Sequence, residues 1–235
     1  MRSRMFKLWL DKRIKTWNPF VGCYFDCSYC WARRIARRSR CEMCRAFIPH
    51  FHLERIPRIP RSGIIFVGSM GDLACFADHS YEARKVMEAI IEVQKRHDAI
   101  FFFETKDPWI YLFVEEFAWI DYGDKTIIST TIETNRDQLC KKISKAPPPS
   151  SRYKAMLRLK SWYKRRHISI EPIMDFDPDV MFKWVTEIEP EIVSIGYDNY
   201  NNHLPEPPLA KTLKLIEDLE ASGIMVERKT LREAK

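Results

Sequence analysis

Gly22-Cys23-Tyr24-Phe25-Asp26-Cys27-Ser28-Tyr29-Cys30-Trp31-Ala32-Arg33 carries three cysteines at the spacing C-x3-C-x2-C. Thiolates are soft ligands that select iron–sulfur clusters or zinc over hard cations. Three of them can close on three irons of a cubic cluster and leave the fourth iron without a protein ligand, where a small molecule can bind. A ferredoxin-type C-x2-C-x2-C run caps every iron, and a tetrahedral zinc site is built from C-x2-C pairs. The spacing here points instead to a cluster with an open position. The competing readings are a partial zinc knuckle or three cysteines buried as small apolar residues.

With Tyr29 before the last cysteine, the loop resembles the cluster signature of the radical S-adenosylmethionine enzymes. Working outward, Thr16-Trp17-Asn18-Pro19-Phe20-Val21-Gly22, Phe66-Val67-Gly68-Ser69-Met70-Gly71-Asp72-Leu73 and Ile168-Ser169-Ile170-Glu171-Pro172 resemble segments of a phage- and archaea-associated branch of that superfamily. Spore photoproduct lyase is a more distant relative of that branch. The resemblance implies an α/β fold, a partial (β/α)6 TIM-like barrel with the cluster in the loop after the first strand. It further implies a [4Fe-4S] cluster on Cys23, Cys27 and Cys30, with S-adenosylmethionine chelated to the open iron. Such an enzyme cleaves S-adenosylmethionine reductively to a 5′-deoxyadenosyl radical, which abstracts hydrogen from substrate. A reducing donor such as flavodoxin or ferredoxin is the implied partner. The reaction class, lyase or oxidoreductase, stays open.

On the same resemblance, Tyr29 is expected near the adenine and Trp31 over the cluster. Ser69 and Asp72 are candidates to hold the methionine amino group. The family often has a Gly-Gly-Glu-Pro string near here, whereas this chain has Gly68-Ser69-Met70-Gly71-Asp72. Thr131 and Glu133 are candidates for the ribose hydroxyls, and the planar fork of Arg136 for the methionine carboxylate. The alternative for these residues is polar capping of strand ends. Glu104, Lys106 and Glu171 follow apolar strands, where an unpaired carboxylate is costly to bury. Glu171 is expected to pair with Lys106 or to hold substrate, and both are candidate catalytic residues. Asp198 and Asn199 have a similar placement.

Apolar runs and amphipathic stretches alternate along the rest of the chain. Strands are predicted at 64–67, 100–103, 126–131, 167–173 and 191–195, with a final one near 224–226. Helices are predicted over 81–97, 109–119, 178–187 and 208–221, and one after Pro147-Pro148-Pro149 capped by Ser150 or Ser151. This alternation means a parallel sheet covered by helices. We read residues 1–235 as a single barrel domain with a Cys/Arg-rich insertion at about 33–62.

The chain has 235 residues, 46% hydrophobic, with no apolar run of the ~18 residues a membrane span needs. Its basic start runs into Lys12-Arg13 instead of an apolar signal, so a cytoplasmic location is expected. The net charge of +7 is concentrated in Arg33, Arg34, Arg37, Arg38, Arg40 and Arg45, and in Lys154, Arg158, Lys160, Lys164, Arg165 and Arg166. Basic runs attract nucleic acid or form solvated helix faces. Nucleic acid is thus a candidate substrate. A non-catalytic nucleic-acid-binding protein stapled by a metal is the alternative function.

Cys41 and Cys44 form a separate C-x2-C pair, followed by His50 and His52, enough for a small zinc knot. A second cluster and free thiols are the competing readings. Histidines two apart share one side only of an extended strand. We expect these two to point apart and satisfy backbone groups or Glu54. Cys75 and Cys140 read as lone buried cysteines.

Overall fold

The computed structural model describes residues 14–76, 80–113 and 123–235. Seven parallel strands form one sheet: β1 (Ile14–Trp17), then β4 (Gly63–Val67), β5 (Ala99–Thr105), β6 (Thr126–Thr131), β7 (Arg165–Ile170), β8 (Ile192–Ile195) and β9 (Met225–Arg228), in that spatial order. A short antiparallel ribbon, β2 (Phe20–Val21) with β3 (His50–Phe51), stands apart from it. Neighbouring sheet strands are consecutive along the chain apart from this ribbon. Each βα crossover therefore moves the sheet one strand onward in the same direction, as in an open barrel. β1 and β9 remain its two edges.

The helices are α1 (Trp31–Ala36), α2 (Glu42–Ala46), α3 (Ser80–Arg96), α4 (Ile110–Phe113), α5 (Asp137–Lys141), α6 (Pro149–Leu159), α7 (Pro178–Ile188) and α8 (Leu209–Ala221). Of these, α3, α6, α7 and α8 pack on one face of the sheet, where Ile65, Phe101, Phe103, Ile128 and Ile168 meet Val86, Ile90, Met156, Val185 and Leu219. Because side chains alternate along a strand, the other positions face the inside of the curve. There Ile64, Ile100, Phe102, Ile127 and Ile192 form a second apolar cluster, with Ile14, Phe66 and Met225 against it. Farther toward the C-terminal ends the same face turns polar, with Glu104, Ser129, His167, Ser169 and Ser194.

The predicted elements fall close to the observed ones, and the expected cap differs. No Ser150 or Ser151 side chain caps α6: Pro148 is the cap residue, Pro149 occupies the first helical turn, and the Ser150 hydroxyl donates to Asp137 at 2.6 Å. Proline is preorganised for that position and lacks only an N–H that would be unbonded there. In α8, Leu215 is buried with Ile216 and Leu219, while Leu213 is only half-buried. Phe113, at the end of α4, is exposed. The predicted helix beyond 113 and the basic start lie outside the described residues.

The segment 33–62 holds the rest of α1, then α2, β3 and a 3-10 turn at Leu53–Arg58. Two glycines seat the cysteine loop on the sheet. Gly22 (φ +102°) bridges Gly71, and Gly68 (φ +72°) lies under the Phe20 ring. A Cβ on Gly68 would come within 2.0 Å of that ring. Left-handed strain and overpacking then add, and Gly68→Ala is expected to cost about 2–4 kcal/mol of stability by urea unfolding. An unchanged midpoint would mean that the Phe20 ring yields freely.

Candidate functional site

The C-terminal ends of the strands and the cysteine loop enclose a cavity of about 340 Å³. Cys23, Cys27 and Cys30 line it, together with Tyr29, Ser69, Asp72, Lys106, Thr131 and Glu171. These residues come from segments up to about 150 positions apart in sequence, so only the crossovers bring them together. Glu104, His167, Asp198 and Asn199 also reach the cavity.

The loop is built to present sulfur. Cys30 begins α1, its Sγ accepting the Arg33 N–H at 3.4 Å, and Cys23 Sγ accepts the Phe25 N–H at 3.3 Å. Ser144 lies 3.0 Å from Cys27 Sγ, and Asp26 at positive φ bonds Arg33 across the loop. Burial raises the Cys27 thiol above its ordinary value. Cys75, read from sequence as a lone cysteine, has its Sγ 3.9 Å from Cys23 Sγ, and this hydrogen bond leads the causes that hold the Cys23 thiol high. A cubic cluster takes each thiolate on a different iron, so its three ligands need to share a wall and not one donor sphere.

Behind the loop, Glu133 is fully buried and ion-paired. Lys106 Nζ reaches its Oε1 at 2.5 Å, Arg152 Nη1 its Oε2 at 2.8 Å, and the Tyr29 hydroxyl donates to Oε1. Burial alone would raise this carboxyl, but Arg152 and Lys106 hold it well below the carboxylate range. Lys106 thus pairs with Glu133, where Glu171 was the expected partner. Glu171 instead accepts a long contact from Asn199 at 3.4 Å, and burial raises its carboxyl. Arg136 does not line the cavity: its guanidinium is bonded to Asp175 and Asp177. Glu133 itself sits behind the wall. Asp72 is buried and accepts from the Thr105 hydroxyl at 2.5 Å and the Lys106 N–H at 2.9 Å. Ser69 donates to Asn18 Oδ1 at 3.1 Å.

Sequence reasoning missed a buried polar chain across the inner face. Ser129 Oγ stands 3.2 Å from Glu104 Oε2 and 2.8 Å from His167 Nδ1. His167 Nε2 lies 2.9 Å from Ser194 Oγ, which donates to Glu227 Oε2 at 2.6 Å. Ser129 donates to Glu104 Oε2. Burial pushes His167 down to about 3, and burial pushes Glu104 up to about 7. Strand alternation, which places His167, Ser169 and Glu171 on one face, was the signal available in the sequence.

The second cysteine pair also departs from expectation. The donor atoms of Cys41, Cys44, His50 and His52 all lie within 4.8 Å of one another, so the two histidines converge where they were expected to diverge. β3 is extended, and the group can hold a metal ion. Of the second basic run, Arg165 pairs with Glu191 at 3.0 Å and Arg166 donates to the carbonyls of Ile188 and Glu189. These two cations serve the fold and offer no surface charge. Among the described residues, no helix is long and apolar enough to cross a membrane.

Glu104 supplies a pH test. Its folded value of about 7 lies above the ordinary 4.5, so its contribution to stability is full below about 4.5 and is lost as pH rises through about 7. Glu104→Gln keeps an oxygen that accepts from Ser129 and cannot ionise. The variant is expected to gain on the wild type across that window, by up to about 3 kcal/mol. Parallel stability–pH curves would remove the protonated Glu104 from the chain.

No family model matches this sequence, and no curated protein does. Among solved structures, the fold is similar to Streptococcus suis SuiB bound to S-adenosylmethionine, with TM-score 0.58 and 12% identity over 92% of this chain and 50% of that one. It is similar to a spore photoproduct lyase variant with bound AdoMet and dinucleoside spore photoproduct, with TM-score 0.55 and 12% identity over 87% of this chain and 60% of that one. Another spore photoproduct lyase variant matches with TM-score 0.60 and 12% identity over 89% of this chain and 75% of that one. The chain thus spans about half the length of the SuiB chains. The curved, open parallel sheet with a cysteine loop at its mouth is similar in fold to SuiB and to spore photoproduct lyase.

Proposed function

We propose that this chain is a radical S-adenosylmethionine enzyme whose cluster is held by Cys23, Cys27 and Cys30. The observation that carries the reading is their shared cavity at the C-terminal mouth of a parallel sheet, where such barrels place their chemistry. The donor set fits: three soft thiols face one space, flanked by polar groups that suit an amino-acid-bearing nucleoside. When bound, a reduced [4Fe-4S] cluster supplies the electron that cleaves S-adenosylmethionine to methionine and a 5′-deoxyadenosyl radical, the oxidant of substrate C–H bonds. Flavodoxin or ferredoxin is the proposed source of that electron.

The chain's own residues then bind and orient. Ser69, Asp72 and Thr131 offer hydroxyl and carboxylate groups on the wall beside the cysteines. Tyr29 is held by Glu133, with Lys106 5.2 Å from the ring centroid, so one face of the cavity is rigid. Phe66 and Phe102 on its floor, with Tyr197 and Tyr200, keep water away from a reactive centre. Glu104 and Glu171, both held toward their neutral forms by burial, can give or take a proton at the carboxyl.

Anaerobic reconstitution should yield about four irons and four sulfides per chain, broad visible absorbance, and 5′-deoxyadenosine from S-adenosylmethionine on reduction. Alanine at Cys23, Cys27 or Cys30 should abolish both while the barrel stays folded. Full activity without a cluster would refute the proposal.

Nucleic acid is the proposed substrate class. Trp31 and Ala32 of α1 line the cavity, and Arg34, Arg37, Arg38 and Arg40, which follow them along the chain, are exposed. Binding to a single-stranded oligonucleotide should weaken steeply with salt, and Arg37→Glu with Arg38→Glu should lower affinity roughly tenfold or more. Salt-independent binding, or none, would leave a small-molecule substrate.

A further inference from the structure

We infer that Cys41, Cys44, His50 and His52 bind one structural zinc ion, and that this ion positions the cysteine loop. Two thiolates and two imidazoles are a closed tetrahedral zinc set. Cys44 Sγ stands 3.1 Å from His52 Nε2 and 3.4 Å from His50 Nε2, and Cys41 Sγ stands 3.6 Å from His50 Nε2. Tetrahedral bonds of about 2.0–2.3 Å call for donors roughly 3.3–3.8 Å apart, so little movement is needed.

The outer partners point to a cation. His50 Nδ1 lies 2.7 Å from the Ile48 carbonyl oxygen, which can only accept, so Nδ1 carries the proton. His52 Nδ1 donates in the same way to Glu54 Oε1 at 2.6 Å. In the neutral rings both Nε2 atoms are then lone-pair acceptors, aimed at each other across 2.9 Å. Two acceptors at that distance repel, and a metal ion between them and the two sulfurs resolves the conflict. A ligating histidine whose other nitrogen is bonded to a carbonyl or carboxylate is the usual outer-shell arrangement of zinc sites. The remaining partners are internal: Cys41 Sγ accepts the Cys44 N–H at 3.4 Å at the start of α2.

The ion would close residues 41–52 into the surface against which the cluster loop rests. His50 pairs with Val21 in the β2–β3 ribbon, and the His52 N–H donates to the Pro19 carbonyl at 2.7 Å. The Cys23 N–H donates to the Phe47 carbonyl at 3.3 Å. A Cβ on Gly22 would meet Ile48 O at 2.4 Å, so the two segments touch through backbone. The zinc assignment does not depend on the cluster reading; the positioning role does.

The test is metal analysis of the full chain, purified in air and again after anaerobic reconstitution. One zinc per chain is expected in both, beside about four irons in the second. Cys41→Ser with Cys44→Ser should release the zinc while Cys23→Ala retains it, which separates this site from the cluster. The double variant should also lose several-fold in iron uptake with its cluster cysteines intact. Should that variant fail to fold, cobalt titration of the chelator-treated wild type provides the second measurement, with tetrahedral visible bands expected at one equivalent. A wild-type chain that folds without zinc and takes up no cobalt would reduce the group to thiol–imidazole hydrogen bonds and overturn the zinc assignment. Iron uptake unchanged in a zinc-free double variant would overturn the positioning role.

Discussion

The buried carboxylate of Glu133 joins four parts of the molecule at one point. It follows β6, and it is met by Lys106 from the end of β5, Arg152 from α6 and Tyr29 from the cysteine loop. A buried charge left unpaired is costly, and removing one partner of such a pair typically loses about 3–5 kcal/mol. Here two cations and a hydroxyl satisfy one carboxylate, and Arg152 also donates to the carbonyls of Thr131 and Pro147. The cysteine loop is therefore anchored to the sheet by the same interaction that closes the sheet's end. A residue that composition would place on the surface determines how the loop faces the cavity.

Curvature and strand direction make the rest of the site. All seven strands run in parallel, so every C-terminal end opens on one side. The inner face passes from Ile64, Ile100, Ile127 and Ile192 to the Glu104–Ser129–His167–Ser194–Glu227 chain within a few residues along the strands. The apolar layer closes the floor, and the polar layer above it gives the cavity a store of hydrogen-bonding groups that water need not supply. His167 is held neutral and Glu104 is shifted toward its protonated form for one shared reason, the burial that penalises charge.

The charge of the chain divides in the same physical way. Arg152, Arg165 and Arg166 are consumed inside the fold by carboxylates and carbonyls. Arg34 lies 5.2 Å from the centroid of the Tyr200 ring and bonds Asn202, linking α1 to the loop after β8. What remains exposed of the first run is Arg34, Arg37, Arg38 and Arg40. Net charge alone overstated the exposed basic surface, because a buried guanidinium saturates backbone carbonyls as readily as phosphates.

Much of the architecture was legible in local pattern. Apolar runs of four to seven residues alternating with amphipathic helices specify a parallel sheet, because each strand must be buried on both faces and each crossover must return the chain. The place of the C-x3-C-x2-C loop was an expectation from the family resemblance, and the C-x2-C with two histidines offered a second donor set that was expected not to converge. Local pattern could not decide which residues face one another. Lys106 meets Glu133 and not Glu171, Arg136 turns to Asp175 and Asp177, and Cys75 comes beside Cys23. His50 and His52 converge because β2 holds β3 extended, a pairing between segments about thirty residues apart. Side-chain partners of that kind depend on register and crossover geometry, which the sequence encodes only through the whole packed fold.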